Sequence, residues 1–172
     1  MAPSSPELAD LISSAAEKAF ARSVVEFGTG TGVFTRRIKD RLKPGTEFFT
    51  LEVNPDFCEQ TRRLCPDVVV YNDSACNVRK YLEQHSLEHC DVIISGLPWA
   101  AFDSELQECL MRATIDALKP GGRFLTFAYL QGTILPSGIR FRNLLHSHFS
   151  RVRRTRIVWK NIPPAFVYYC RK

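Results

Sequence analysis

The run Ser23-Val-Val-Glu-Phe27, followed at once by Gly28-Thr-Gly30-Thr-Gly32, restricts the fold of this chain more than any other segment. A short β-branched and aromatic run reads as a buried strand. Glycines at alternate positions then supply the positive φ that lets a chain turn sharply into a helix. Strand, glycine turn and helix together open a doubly wound α/β sheet, in which ligands bind at the carboxyl ends of the strands. The spacing is G-x-G-x-G, whereas a dinucleotide site has G-x-G-x-x-G. Glu26, just ahead of the turn, would repel a pyrophosphate and suits a cationic ligand such as an amino group.

Strand and helix signals alternate over the remaining sequence. Ser5-Pro6 opens a helix whose apolar residues recur to Phe20. After strand one, helices are predicted over 33–42, to 64, over 75–84, over 104–118 and to His148. Strands are predicted over 47–53, 67–71, 91–95, 123–129, 152–159 and 166–170, with Lys119-Pro-Gly-Gly122 as a turn. Only Lys160 to Ala165 separates the last two strands, too short a link for a helical crossover, so the final strand should run antiparallel. The expectation is a Rossmann-like, seven-stranded, mostly parallel sheet with its last strand reversed and helices on both faces. Residues 1–172 read as a single domain, with 1–22 an N-terminal helix and 23–172 the α/β core.

No apolar run approaches the length of a membrane span, and the start lacks a basic and an apolar signal region, so a cytoplasmic protein is expected. The six cysteines and four histidines show no metal-ligand spacing, and no metal site is expected. Cys58, Cys65, Cys76, Cys90, Cys109 and Cys170 are expected to be buried, reduced thiols. Charge is unevenly spread. Residues 1–116 hold 12 Lys/Arg against 18 Asp/Glu, whereas residues 117–172 hold 11 Lys/Arg and no acid. Such a basic third suits a phosphate-bearing partner.

Two further acids fall at strand ends. Glu52 closes strand two, where a carboxylate can accept from both hydroxyls of a ribose. Asp73-Ser74 follows strand three, within reach of an adenine amino group. With the E-x-G-x-G-x-G loop and the Leu118-Lys-Pro-Gly-Gly122 turn, these residues resemble the class I S-adenosylmethionine-dependent methyltransferases over essentially the whole chain. The resemblance implies S-adenosyl-L-methionine as cofactor. Glu26, Gly28, Gly30 and Gly32, with Phe27 and Thr29, would cradle the methionine part. Glu52 and Val53 would meet the ribose, Asp73 and Ser74 the adenine, and Ser95 would close the site.

The methyl acceptor is read from Ser95-Gly96-Leu97-Pro98-Trp99. In adenine N6-methylating relatives an Asn or Asp stands where this chain has Gly96, and its side chain accepts from the base. Gly96 has none to offer, which argues against an adenine substrate; Gly96 and Leu97 still present backbone carbonyls to an amine, beside Pro98 and Trp99. Asp91 to Ala100, Arg123 to Tyr129 and Trp159 to Tyr168 are similar to bacterial phospholipid N-methyltransferases, of the phosphatidylethanolamine and ornithine-lipid type, a group related to the rRNA adenine dimethylase-like proteins. That resemblance implies N-methylation of a lipid or small amine by in-line displacement at the sulfonium; Tyr129, at the end of strand five, is the candidate for holding the acceptor or its phosphate. Arg140, Arg142, Arg151, Arg153, Arg154, Arg156 and Lys160 would then face an anionic membrane surface peripherally, nucleic acid being the less favoured partner. RNA, a small soluble amine, or a non-catalytic cofactor-binding role stand as the alternatives.

Overall fold

The computed structural model describes residues 21–172, so the helix expected within 1–22 lies outside the described residues but for its last two positions. In chain order the elements are β1 (Ser23–Phe27), α1 (Val33–Lys39), β2 (Glu47–Leu51), α2 (Pro55–Leu64), β3 (Val69–Tyr71), α3 (Val78–Gln84), β4 (Cys90–Ser95), α4 (Ser104–Ala117), β5 (Leu118–Tyr129), α5 (Pro136–His148), β6 (Arg151–Arg154) and β7 (Ala165–Arg171). Three 3-10 turns, Ala75–Asn77, Trp99–Ala101 and Leu130–Ile134, precede α3, α4 and α5. The strands form one sheet in the order β3-β2-β1-β4-β5-β7-β6. β7 is antiparallel to both β5 and β6, and the pairs from β3 to β5 are parallel. The expected architecture, with its single reversed strand, is what the chain adopts.

The chain winds outward from β1 through β2 to β3, then returns to place β4 on the other side of β1. The carboxyl ends of β1 and β4 therefore diverge into a crevice, the switch point where such sheets bind ligands. Alternation along each strand feeds two cores. Val25, Phe27, Ile93, Phe124, Phe166 and Tyr168 face α3, α4 and α5, where Tyr81, Leu82, Leu110, Met111, Phe141 and Leu145 meet them. Val24, Val92, Ile94, Leu125 and Val167 face the other way, onto Ile38 and Phe34 of α1. Cys58, Cys65, Val68 and Val70 form a smaller cluster under α2. Helices on both faces are thus present.

Several boundaries differ from the expectation. Residues 119–122, expected as a turn between elements, lie inside β5, because Gly121 N–H donates to the Lys172 carbonyl and Lys172 N–H to that of Gly122. The strand expected over 152–159 ends at Arg154. There the Thr155 hydroxyl takes the Val167 N–H, a side chain replacing a ladder bond. The helix expected from Ala75 begins as a 3-10 turn capped by Ser74.

Cysteine needs one correction. Cys58, Cys65, Cys90 and Cys170 are free and buried as expected. Cys76 and Cys109 are joined in a disulfide, their Cα atoms 6.0 Å apart. The cause is spatial: the turn after β3 packs against α4 and brings a half-buried and an exposed thiol together.

Candidate functional site

Gly28, Gly30 and Gly32 adopt φ of 77°, 52° and 81°, so the backbone spirals out of β1 in a conformation that L side chains rarely take. Two of them are also sterically fixed. A Cβ on Gly32 would lie 2.9 Å from Thr61 Cα, and one on Gly28 would lie 2.7 Å from a Leu97 methyl. Gly30 differs, because a Cβ there would meet nothing within 4 Å. The turn's middle glycine therefore faces open space, which is the room a ligand needs against bare backbone. Phe27 contributes only its backbone, since its side chain is buried in the core. Thr29 is buried as well and accepts a hydrogen bond from the Thr61 hydroxyl at 3.0 Å.

Glu52 leaves β2 into this turn. Its Oε2 accepts from Gly30 N–H at 3.1 Å and its Oε1 from Asn54 N–H at 2.9 Å. Each carboxylate oxygen keeps a lone pair for a further donor. Val53 beside it is 65% exposed, an apolar surface next to the carboxylate. Asp73 is held by three donors: Ser74 N–H, the Asn77 amide and the Tyr81 hydroxyl. These bonds, that from Tyr81 first, keep its carboxyl below the usual range. Ser74 spends its hydroxyl capping the 3-10 turn.

Glu26 is fully buried, and its Oε2 accepts from the Thr35 hydroxyl at 2.7 Å. Burial pushes its pKa from 4.5 up to about 8. Because the folded state holds this proton more tightly than the unfolded chain, stability is greatest below pH 4.5 as far as this group is concerned. It falls as the pH rises from there to about 8, and is then constant. Glu26→Gln is expected to remove that decline, so thermal melts of the two proteins at pH 5 and pH 8 should show a gap that is wider at pH 8. A buried carboxyl with one hydroxyl donor fits a cationic partner, whose charge would favour the ionised form.

Gly96 and Leu97 cross directly over the glycine turn. Gly96 N–H donates to the Phe27 carbonyl at 2.7 Å, and a Cβ on Gly96 would stand 2.5 Å from the Gly28 oxygen. No side chain of any kind fits at that position in this backbone. Ser95 is completely buried, its hydroxyl accepting from the Leu97 N–H and the Trp99 indole, so it shapes the loop from within and does not line the crevice. Trp99 is likewise buried, stacked on Phe141 at 4.5 Å.

Beyond that loop lies a cavity of about 250 Å³, walled by Pro98, Trp99, Phe127, Tyr129, Phe141 and Tyr168, with Gln131, Thr133 and Leu135 at its edge. No charged residue lines it. The expected Tyr129, Pro98 and Trp99 are brought together here. Phe141 and Tyr168 were not foreseen, since they come from α5 and β7, distant in sequence; the alternation Phe166, Tyr168, Cys170 was the signal that one face of the last strand is buried. Gln107, also fully buried, ties the wall together by donating to the Trp99 and Ser137 carbonyls.

A doubly wound sheet with this glycine turn, an acid closing β2 and an apolar cavity beside it defines a class I methyltransferase, and S-adenosylmethionine is its cofactor. The chain belongs to that family: residues 25–124 match the family model described as a methyltransferase domain. It is 33% identical to an ornithine lipid N-methyltransferase of Singulisphaera acidiphila, over 99% of this chain and 86% of that protein. Among solved structures it resembles the O-methyltransferase from Bacillus cereus in complex with SAH, with a TM-score of 0.77 and 18% identity, covering 98% of this chain and 82% of that one. The O-methyltransferase TomG from Streptomyces achromogenes, in complex with SAM, gives 0.75 and 17%, covering 98% and 81%. Those two likenesses concern the fold. No helix among the described residues is long and apolar enough to cross a membrane.

Proposed function

We propose that this methyltransferase transfers the methyl group to the nitrogen of a lipid amine headgroup, as one domain spanning 1–172 working in the cytoplasm at the membrane surface. The observation that carries the reading is the uncharged aromatic cavity beside Pro98 and Trp99. A primary alkylamine has an ordinary pKa of about 10.4, judged by lysine, and attacks only when neutral. An enclosure without a carboxylate disfavours the ammonium and favours the neutral amine. The bar to any side chain at Gly96 counts against nucleobase recognition through that position, and the resemblance to an ornithine lipid N-methyltransferase supports a lipid.

In this reading Glu26 and the turn from Gly28 to Gly32 hold the methionine part of the cofactor, Glu52 and Val53 the ribose, and Asp73 with Ser74 the adenine. The cofactor supplies an activated methyl on a sulfonium. The chain contributes position: the Gly96 and Leu97 carbonyls accept from the amine, and the wall of Pro98, Trp99 and Tyr129 aims it and excludes water.

Tyr129→Phe is expected to lower kcat about tenfold with cofactor affinity unchanged, as read by steady-state kinetics and calorimetry; full activity would remove the hydroxyl from the reaction. The reading itself is tested by radiolabelled methyl transfer to amine-bearing lipids, to RNA and to a panel of small amines. Transfer to the lipids is expected, and transfer confined to RNA would overturn it.

A further inference from the structure

Two arginines of the basic third lie near Tyr168, a wall of the otherwise uncharged acceptor cavity. Arg154 stands opposite Tyr168 in the β6–β7 ladder, which puts both on one face of the sheet, and its guanidinium lies 6.0 Å from the Phe166 ring. Arg142 follows Phe141 on α5, whose ring sits 6.1 Å from that of Tyr168 in an edge contact. Tyr168 and Phe141 are both walls of the cavity. Arg154 thus stands beside Tyr168 on the neighbouring strand, and the charge of Arg142 on α5 reaches the same tyrosine. Burial raises the Tyr168 phenol, and the positive charges of Arg142 and Arg154 are what pull it back. Both guanidiniums are exposed, and among the described residues neither has an acidic partner within ion-pair distance. The other basic residues of this third are differently placed: Arg140 is bonded to Gln107, Arg151 lies at the far end of β6 opposite Arg171, and Arg153 is on the opposite face with Tyr169.

We propose that Arg142 and Arg154, beside Tyr168, form an oxyanion subsite that selects acceptors carrying an anionic group a few bonds from the amine. The inference rests on the amine reading above and narrows it. Guanidinium forks are suited to bind the paired oxygens of a phosphodiester or a carboxylate. With the anion held outside by the arginines, the uncharged cavity receives the amine end. A neutral-tailed amine would enter the cavity without that anchor.

The test uses the full chain and two readouts. Glycerophosphate binding to the protein is measured by calorimetry for wild type, Arg142→Gln/Arg154→Gln and Arg151→Gln, with circular dichroism to confirm folding. The double variant is expected to lose affinity at least tenfold and Arg151→Gln to lose less than twofold. Equal losses in both, or none in the double variant, would overturn the subsite. Methyl transfer is then compared for glycerophosphoethanolamine, ornithine and ethanolamine. The double variant should raise KM about tenfold for whichever anionic acceptor wild type prefers, while leaving ethanolamine unchanged; a preference for glycerophosphoethanolamine assigns a phosphate ligand and one for ornithine a carboxylate. An unaltered preference in the double variant would overturn the subsite. Failure of wild type to methylate any amine, with glycerophosphate still bound through the two arginines, would instead sink the amine reading alone.

Discussion

Glu52→Ala is expected to weaken S-adenosylmethionine binding about 100-fold or more in a calorimetric titration. A hydrogen bond to a charged group contributes about 1.5–3 kcal/mol, and in the proposed site a ribose would offer two hydroxyls to this carboxylate. Each 1.4 kcal/mol is a factor of ten in affinity. The effect has a second source in the free protein, where the same carboxylate accepts from Gly30 and Asn54 and so holds the glycine turn against the end of β2. Losing it leaves two backbone N–H groups without their acceptor and loosens the surface on which the methionine part would lie. Glu52→Gln separates the two causes, since the amide oxygen can keep one backbone bond but no longer offers charge. Unchanged affinity in Glu52→Ala would place the ribose elsewhere.

Gly96→Asn should be the most damaging single change on the acceptor side. The new Cβ would stand 2.5 Å from the Gly28 carbonyl oxygen, and the obstacle is backbone, not the end of a flexible side chain. Either the loop from Ser95 to Trp99 or the turn after β1 must move. Both belong to the crevice, and the first is pinned from below by bonds to Ser95 and Gln107. A loss of several kcal/mol in stability is expected for a clash of this kind, together with a fall in kcat/KM of more than 100-fold, measured by thermal denaturation and initial rates. Although Asn is the residue of adenine-methylating relatives at this place, the variant should gain no activity on adenine. Near wild-type stability would mean that the loop is free to shift.

Much of this arrangement could be read without coordinates because it is local in sequence. The turn after β1 needs its glycines for φ, and alternate glycines behind an apolar run leave few other conformations. The reversed strand followed from a link too short for a helix. What stayed hidden depends on where distant segments meet. Nothing in the spacing of Cys76 and Cys109 announces that the turn after β3 abuts α4. The strand signal through Thr155 is genuine β propensity, overridden because the Thr155 hydroxyl offers Val167 an alternative acceptor. Leu118 to Gly122 reads as a helix stop, and it becomes strand because the chain's last residue pairs with its glycines. Ser95, expected at the ligand, is turned inward and shapes the loop. Phe141 and Tyr168 entered the cavity wall only once α5 was folded over the sheet beside β7.

A crystal structure of the protein with S-adenosylhomocysteine tests most directly where the cofactor lies. The ligand is expected over the turn from Gly28 to Gly32, with its ribose hydroxyls on Glu52, its adenine beside Asp73 and its sulfur turned toward the cavity between Gly96 and Tyr129. A ligand seated at any other surface, with Glu52 still bonded only to Gly30 and Asn54, would contradict it.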